Sequence, residues 1–170
     1  MRTPKTKRLG PTINRGGSEQ CVQTDPRFIA AVVERFGRLD FDLAANPWNA
    51  QAPLYFTPDD DSLAMDWSLL EGNLWLNCEF ATAPIWASKC MRSMQRILEV
   101  GDAGRLTTRI MLLTPASVST NWFADFVHGH AFVYPLRPRL TFVGHADPYP
   151  RDLMLSVYGR RAGFEPWQWM

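Results

Sequence analysis

LWLNCEFATAPIWASKCMRSMQRILEVGDAGRLTTRIMLLT, from Leu74 to Thr114, holds three hydrophobic patterns in succession. LWLN (Leu74 to Asn77) is short, apolar and strand-like. From about Pro84 to Glu99, Trp86, Cys90, Met94 and Ile97 recur on one helical face, while Lys89, Arg92 and Arg96 fall on another. RIMLLT (Arg109 to Thr114) is the most strand-like run in the chain. A strand, a helix and a second strand in sequence are the building unit of α/β proteins, because the crossing helix lets the two strands lie parallel.

The flanking segments extend this pattern. In TDPRFIAAVVERFG, Asp25 can cap a helix, Pro26 fits its first turn, Phe28, Val32 and Phe36 recur every fourth residue, and Gly37 can end it. LDFDLAA (Leu39 to Ala45) alternates apolar and acidic residues as a strand does before Asn46, Pro47 and Asn49 break it. Leu54 to Thr57 is extended and runs into the acidic turn Asp59-Asp60-Asp61. Beyond Thr114, STNWFADFVHG predicts a short helix stopped by Gly129. AFVY, RLTFV and LMLSVYG predict three closing strands, with Arg137-Pro138 as the turn between the first two. The expected fold is an α/β sandwich with a mixed sheet.

Charge is distributed unevenly. The net value is +1, yet residues 1–18 carry five basic side chains (Arg2, Lys5, Lys7, Arg8, Arg15) and no acid. Residues 19–85 hold eleven acidic against three basic residues, and residues 86–170 hold ten basic against six acidic. Residues 1–18 are therefore expected to be a flexible basic arm, and residues 19–170 a single domain. No apolar run approaches the roughly 20 residues that span a bilayer, and the N-terminus lacks the apolar core of a signal peptide, so a cytoplasmic location without membrane contact is expected. The three cysteines, Cys21, Cys78 and Cys90, show no metal-ligand spacing. GxGxxG and GxxxxGK[ST] are both absent, which removes the usual phosphate-binding loops.

What remains is a set of acids at predicted strand ends, Asp42, Asp59, Asp60, Asp61 and Asp66, together with Asn77-Cys78-Glu79-Phe80 after a buried strand. In an open α/β sheet, ligands bind at the carboxyl ends of the strands, where these residues would gather. The segments also carry a pattern in fixed order: Thr24-Asp25-Pro26; LDFDLAANPWNA (Leu39 to Ala50); YFTPDDDSLAMDW (Tyr55 to Trp67); LWLNCEF; Trp86 with Lys89; LLTPA (Leu112 to Ala116); Thr120-Asn121-Trp122-Phe123; and RLTF (Arg139 to Phe142). In that order and spacing the chain resembles the phage and prophage DNA N6-adenine methyltransferases, the Dam-like phage group, over about residues 22–159.

The resemblance implies a class I S-adenosylmethionine (SAM) dependent methyltransferase fold, a Rossmann-like three-layer α/β sandwich with a mixed, mainly parallel sheet. It implies SAM as cofactor and DNA as partner, in a bacterial host cell if the chain is phage-encoded. Asp42 and Ala44 would meet the amino-acid end of SAM, Asp59 to Asp61 the ribose, and Asp66 would lie near the adenine. Trp67 is read as core, given its neighbours Leu63 and Leu69. Asn77 and Phe80 would hold and stack the flipped target adenine, with the Cys78 carbonyl as second acceptor. The family has Pro-Pro where this chain has Cys78-Glu79. Three readings stay open on that change: a working adenine N6 methyltransferase, a non-catalytic SAM- or DNA-binding relative, and an altered base-modification enzyme using Glu79 or Cys78. For DNA contact the candidates are Lys89, Arg92 and Arg96, whose plain alternative is a solvated helix face, and Arg139, which would border the target pocket.

Overall fold

A computed structural model describes residues 22–170. The basic arm expected over residues 1–18 and Cys21 lie outside them. The first helix, α1 (Pro26–Phe36), starts as its sequence dictates: Asp25 accepts the Arg27 N–H at 2.8 Å, Pro26 occupies the first turn, and Gly37 leaves the helix at φ 94°. Phe28 and Val32 are fully buried. The strands β1 (Phe41–Asp42), β2 (Leu54–Tyr55), β3 (Asn73–Leu76) and β4 (Arg109–Pro115) follow, with α2 (Ala83–Val100) crossing between β3 and β4. After α3 (Asn121–Phe126) come β5 (Ala131–Arg137), β6 (Leu153–Tyr158), β7 (Gly163–Phe164) and β8 (Trp167–Gln168).

The strands form one sheet in the order β2-β1-β3-β4-β6-β5-β7, with β8 also on β5. β2, β1, β3 and β4 are mutually parallel, β6 runs antiparallel between β4 and β5, and β7 and β8 are parallel to β5. All four residues of β3 and six of the seven in β4 are buried, as expected of central strands covered on both faces. On one face α2 and α3 pack through Ala87, Cys90, Met94, Ile97 and Phe123; on the other α1 packs with Trp167 and Trp169. This is the expected α/β sandwich with a mixed, mainly parallel sheet. Among the described residues no helix is long and apolar enough to cross a membrane.

Three expectations are corrected. RLTFV is not a strand. Pro138 has no N–H for a ladder, and the chain leaves the sheet there. Leu140 and Phe142 still alternate inward and are buried, but the segment bonds to residues near α1, with Val143 N–H donating to Gln23 O at 3.0 Å. The first strand is shorter than Leu39–Ala45, because after Asp42 the backbone turns: Leu43 N–H bonds Trp75 O at 2.8 Å and Ala45 N–H bonds Phe56 O at 2.9 Å. The short third helix ends at Phe126, before Gly129, whose φ of 78° lies in the turn into β5.

Candidate functional site

The carboxyl ends of β1, β2 and β3 open onto a cleft of about 290 Å³, close to the lower bound of roughly 300 Å³ for small-molecule sites. Asp42 and Ala44 line it from β1 and the loop beyond, Asp61 and Ser62 from the segment after β2, and Asn77, Cys78 and Glu79 from the end of β3. Six of the ten expected cofactor and catalytic residues, Asp42, Ala44, Asp61, Asn77, Cys78 and Glu79, are thus brought to one cavity.

Asp42 is 2% exposed. Its two carboxylate oxygens accept backbone N–H groups from Ala44 at 3.2 Å and Gln51 at 2.9 Å, which closes the loop between them. Burial pushes its pKa up to about 6, against the partial opposition of those two donors. The acidic triplet divides. Asp60 caps Thr57, accepting its N–H at 2.7 Å and its hydroxyl at 2.8 Å, and Asp59 is not among the residues that line the cleft. Asp61 reaches the cleft with a φ of 46°, the one non-glycine residue with positive φ among the described residues. That conformation costs roughly 1–2 kcal/mol, and Asp tolerates it better than most residues. Beside it Ser62 Oγ is buried in the cleft wall without a protein partner. Asp66 is spent on its own chain: it accepts Ser68 N–H and Oγ–H at 3.1 and 2.6 Å and pairs with Arg96 at 3.3 Å.

At the end of β3, Asn77 is fixed by the segment before α1. Its Nδ2 donates to Thr24 Oγ1 at 3.1 Å and to Val22 O at 3.4 Å. A carbonyl can only accept, so the amino half of the amide faces Val22 and Oδ1 is left as the acceptor. Thr24 is buried, and its part in holding Asn77 was not visible in a Thr-Asp-Pro sequence that reads as a helix start. Cys78 is buried too, and burial pushes its thiol up to about 12, away from the low pKa of a nucleophilic cysteine. Glu79 has φ −58° and ψ 120°. Its carbonyl accepts Thr82 N–H and Oγ1–H, both at 3.1 Å, and Thr82 Oγ1 accepts Trp86 Nε1–H at 3.2 Å. Trp86 stacks on Trp67, whose indole N–H bonds Ser62 O at 2.9 Å. One polar and aromatic chain therefore couples the Asn77 loop to the opposite wall, and Trp67 is core as expected.

Phe80 lies just past the cleft lining, its ring 5.4 Å from Tyr149 and 6.2 Å from Phe142. Phe142, the last residue of RLTF, is thus the part of that segment that borders the loop. Arg139 is exposed and paired with Asp152 at 2.9 Å. The cationic face of α2 turns out to be partly a clasp: Lys89 Nζ donates to Met65 O at 2.6 Å and lies 5.4 Å from the Trp67 ring, Arg96 holds Asp66, and Arg92 alone of the three is in open solvent without such a tie. Among the described residues no group of three or more His, Cys, Asp or Glu is placed to hold a metal ion.

Residues 18–152 match the DNA N-6-adenine-methyltransferase (Dam) family. The chain is also 23% identical over 168 residues to a DNA N-6-adenine-methyltransferase of Escherichia phage T1, an alignment that covers 96% of this chain and 66% of that relative. It spans a little under two thirds of the length of that protein.

Proposed function

The chain belongs to the DNA N-6-adenine-methyltransferase (Dam) family, and from that premise we propose that it methylates N6 of adenine in DNA, with SAM as donor. The observation that carries the proposal is Asn77: an amide whose donor half is tied to Val22 and Thr24, whose Oδ1 is left as acceptor, and which lines the same cleft as Asp42 and Asp61, three residues before Phe80. The cleft fits the cofactor chemically. Asp42 and Asp61 offer carboxylates to an ammonium and to ribose hydroxyls, and the orphaned Ser62 Oγ offers a further polar contact. SAM, when bound, supplies an electrophilic methyl group.

The protein's own residues hold the acceptor amine. Asn77 Oδ1 and the Cys78 carbonyl take the two N6 hydrogens, which draws the nitrogen lone pair out of conjugation with the ring and aims it at the methyl group. Phe80, braced by Phe142 and Tyr149, stacks the extruded base. Asp42 is a positioning residue as much as a contact, since it fixes the loop from Ala44 to Gln51. The five basic residues of the arm would add phosphate contacts and counterion release. A non-catalytic SAM- or DNA-binding relative is the second reading, favoured by one observation: Glu79, an acidic residue in place of a proline, lines the same cleft. Nucleophilic use of Cys78 is opposed by its buried, neutral thiol.

The test is a SAM titration followed by mass spectrometry of nucleosides from DNA incubated with protein and SAM. N6-methyldeoxyadenosine is the expected product; SAM and DNA binding with every base unmodified would establish the second reading instead. A pH dependence follows as well. The Asp42 pKa of about 6 means that its carboxyl is protonated below that pH in the free protein. A cationic ligand prefers the carboxylate, so binding releases the proton, and affinity rises with pH up to about 6 and levels off above it. Calorimetry at pH 5 should give SAM affinity about tenfold lower than at pH 7.5, one pH unit below the pKa corresponding to a factor of ten. Asp61 and Glu79 also line the cleft. Asp42→Asn should therefore bind weakly at both pH values with the slope removed; an unchanged slope would show that Asp42 is not the group responsible.

A further inference from the structure

Seven tryptophans occur in the chain. Trp67, Trp75, Trp167 and Trp169 are buried, Trp86 and Trp122 are half-buried, and Trp48 is 69% exposed, the most exposed large hydrophobic side chain among the described residues. A single exposed apolar residue is ordinary on a protein surface. Trp48 differs in how it is held and where. Asn49, next to it, and Asn46, two residues before it, line the cleft. The loop is fixed by bonds from Asn46 N–H to Asn49 Oδ1 at 2.6 Å, Asn49 N–H and Ala50 N–H to Asn46 O at 3.1 Å, and Gln51 Nε2 to Asn49 O at 2.7 Å. Gln51 N–H then anchors the loop to buried Asp42. An indole is thus presented in solvent by a hydrogen-bonded loop whose Asn46 and Asn49 line the cleft, so the backbone has little conformational entropy left to lose on contact.

We infer that Trp48 is a stacking surface for a nucleobase next to the target adenine, a role that rests on the DNA reading above. The adenine that reaches Asn77 must leave its stack, and its neighbours remain one or two steps of about 3.4 Å from the cleft mouth with a face uncovered. Residues 43–51 carry no charge, and Asp61, next in sequence to Asp59 and Asp60, lines the cleft with Asn46 and Asn49. The loop has no cation to offer a phosphate, and the carboxylates of the cleft repel one. A flat aromatic ring is the contact it can make with DNA, and stacking tolerates any base.

The test uses the full chain with wild type, Trp48→Phe and Trp48→Ala. Fluorescence of wild type minus Trp48→Phe isolates Trp48, whose acrylamide quenching reports its exposure. Adding DNA should quench this signal and shield it from acrylamide. By anisotropy of labelled DNA, Trp48→Ala should bind about tenfold more weakly, with Trp48→Phe close to wild type, because the ring and not the indole N–H does the stacking. SAM affinity should stay unchanged in both variants. If labelled DNA binds wild type while Trp48 stays open to acrylamide, or if Trp48→Ala binds as tightly as wild type, the stacking role is overturned and the DNA reading stands. Shielding that grows with protein concentration in the absence of DNA would assign Trp48 to self-association and overturn it too. Failure of wild type to bind DNA at low salt would overturn both.

Discussion

Replacing Asn77 by Ala is expected to lower methyl transfer to adenine by at least about a hundredfold while SAM affinity stays within about twofold of wild type, the size of effect seen when one preorganised polar group at a reacting centre is deleted. The selectivity follows from the geometry. Asn77 is held by Val22 and Thr24, not by Asp42, Asp61 or Ser62, so its removal leaves the acidic wall of the cleft intact. What disappears is the acceptor that pulls on an N6 hydrogen. Asn77→Asp separates acceptance from orientation: the carboxylate keeps an oxygen for the amine, but its other oxygen then faces the Val22 carbonyl and is repelled by it. A partial loss is expected there, and Thr24→Val, which removes only the brace, should fall between wild type and Asn77→Ala. Single-turnover assays at saturating SAM read all three. Asn77→Ala with wild-type transfer would remove Asn77 from the reaction.

The fold was legible where its signals are local and continuous. The LWLN and RIMLLT runs became β3 and β4, the recurrence of Trp86, Cys90, Met94 and Ile97 at steps of four, four and three became α2, and the Asp25-Pro26 start and Gly37 stop bounded α1. The site was legible in its backbone positions, since strand ends are where a parallel sheet collects ligand-binding residues. Partners far apart in sequence were not. Leu140 and Phe142 alternate as strand residues do, but alternation says only that one side is buried, and here the burying partner is the α1 side of the domain instead of the sheet ladder. Lys89 and Arg96 read as a phosphate-binding face because helical spacing gives direction and not destination; they meet Met65 and Asp66. Thr24 and Asn77 touch across 53 residues, and neither sequence context names the other. Of Asp59, Asp60 and Asp61, three adjacent identical side chains, only the turn geometry decides which one faces the cleft.

Changing Cys78 and Glu79 together to proline should raise methyl transfer, by roughly four- to thirtyfold if the loss of chain freedom, 0.4–1 kcal/mol per position, is felt wholly in the presentation of Asn77. The backbone at Glu79 already has φ −58°, inside the range that a proline ring imposes, so the chain keeps a proline-like bend without the residue. Cys78 contributes a buried apolar side chain, which a proline ring can replace. The charge works in the same direction. A carboxylate lining the cleft stabilises a reactant sulfonium more than a transition state in which that charge is dispersing, and an interaction stronger in the ground state slows the step. Glu79→Gln tests this effect, since it keeps the length and shape of the side chain and removes the charge. If Glu79 is a brake, Gln raises transfer part of the way to the double-proline level, with SAM bound somewhat less tightly. If instead Glu79 has been recruited as a proton acceptor, Gln abolishes transfer and leaves SAM affinity nearly unchanged. Nucleoside mass spectrometry at saturating SAM, on wild type, Glu79→Gln and the double-proline variant, tells the two apart. Loss of transfer in both variants, with SAM binding retained, would sink the view that Cys78-Glu79 is a tolerated substitute for two prolines and would make Glu79 part of the chemistry.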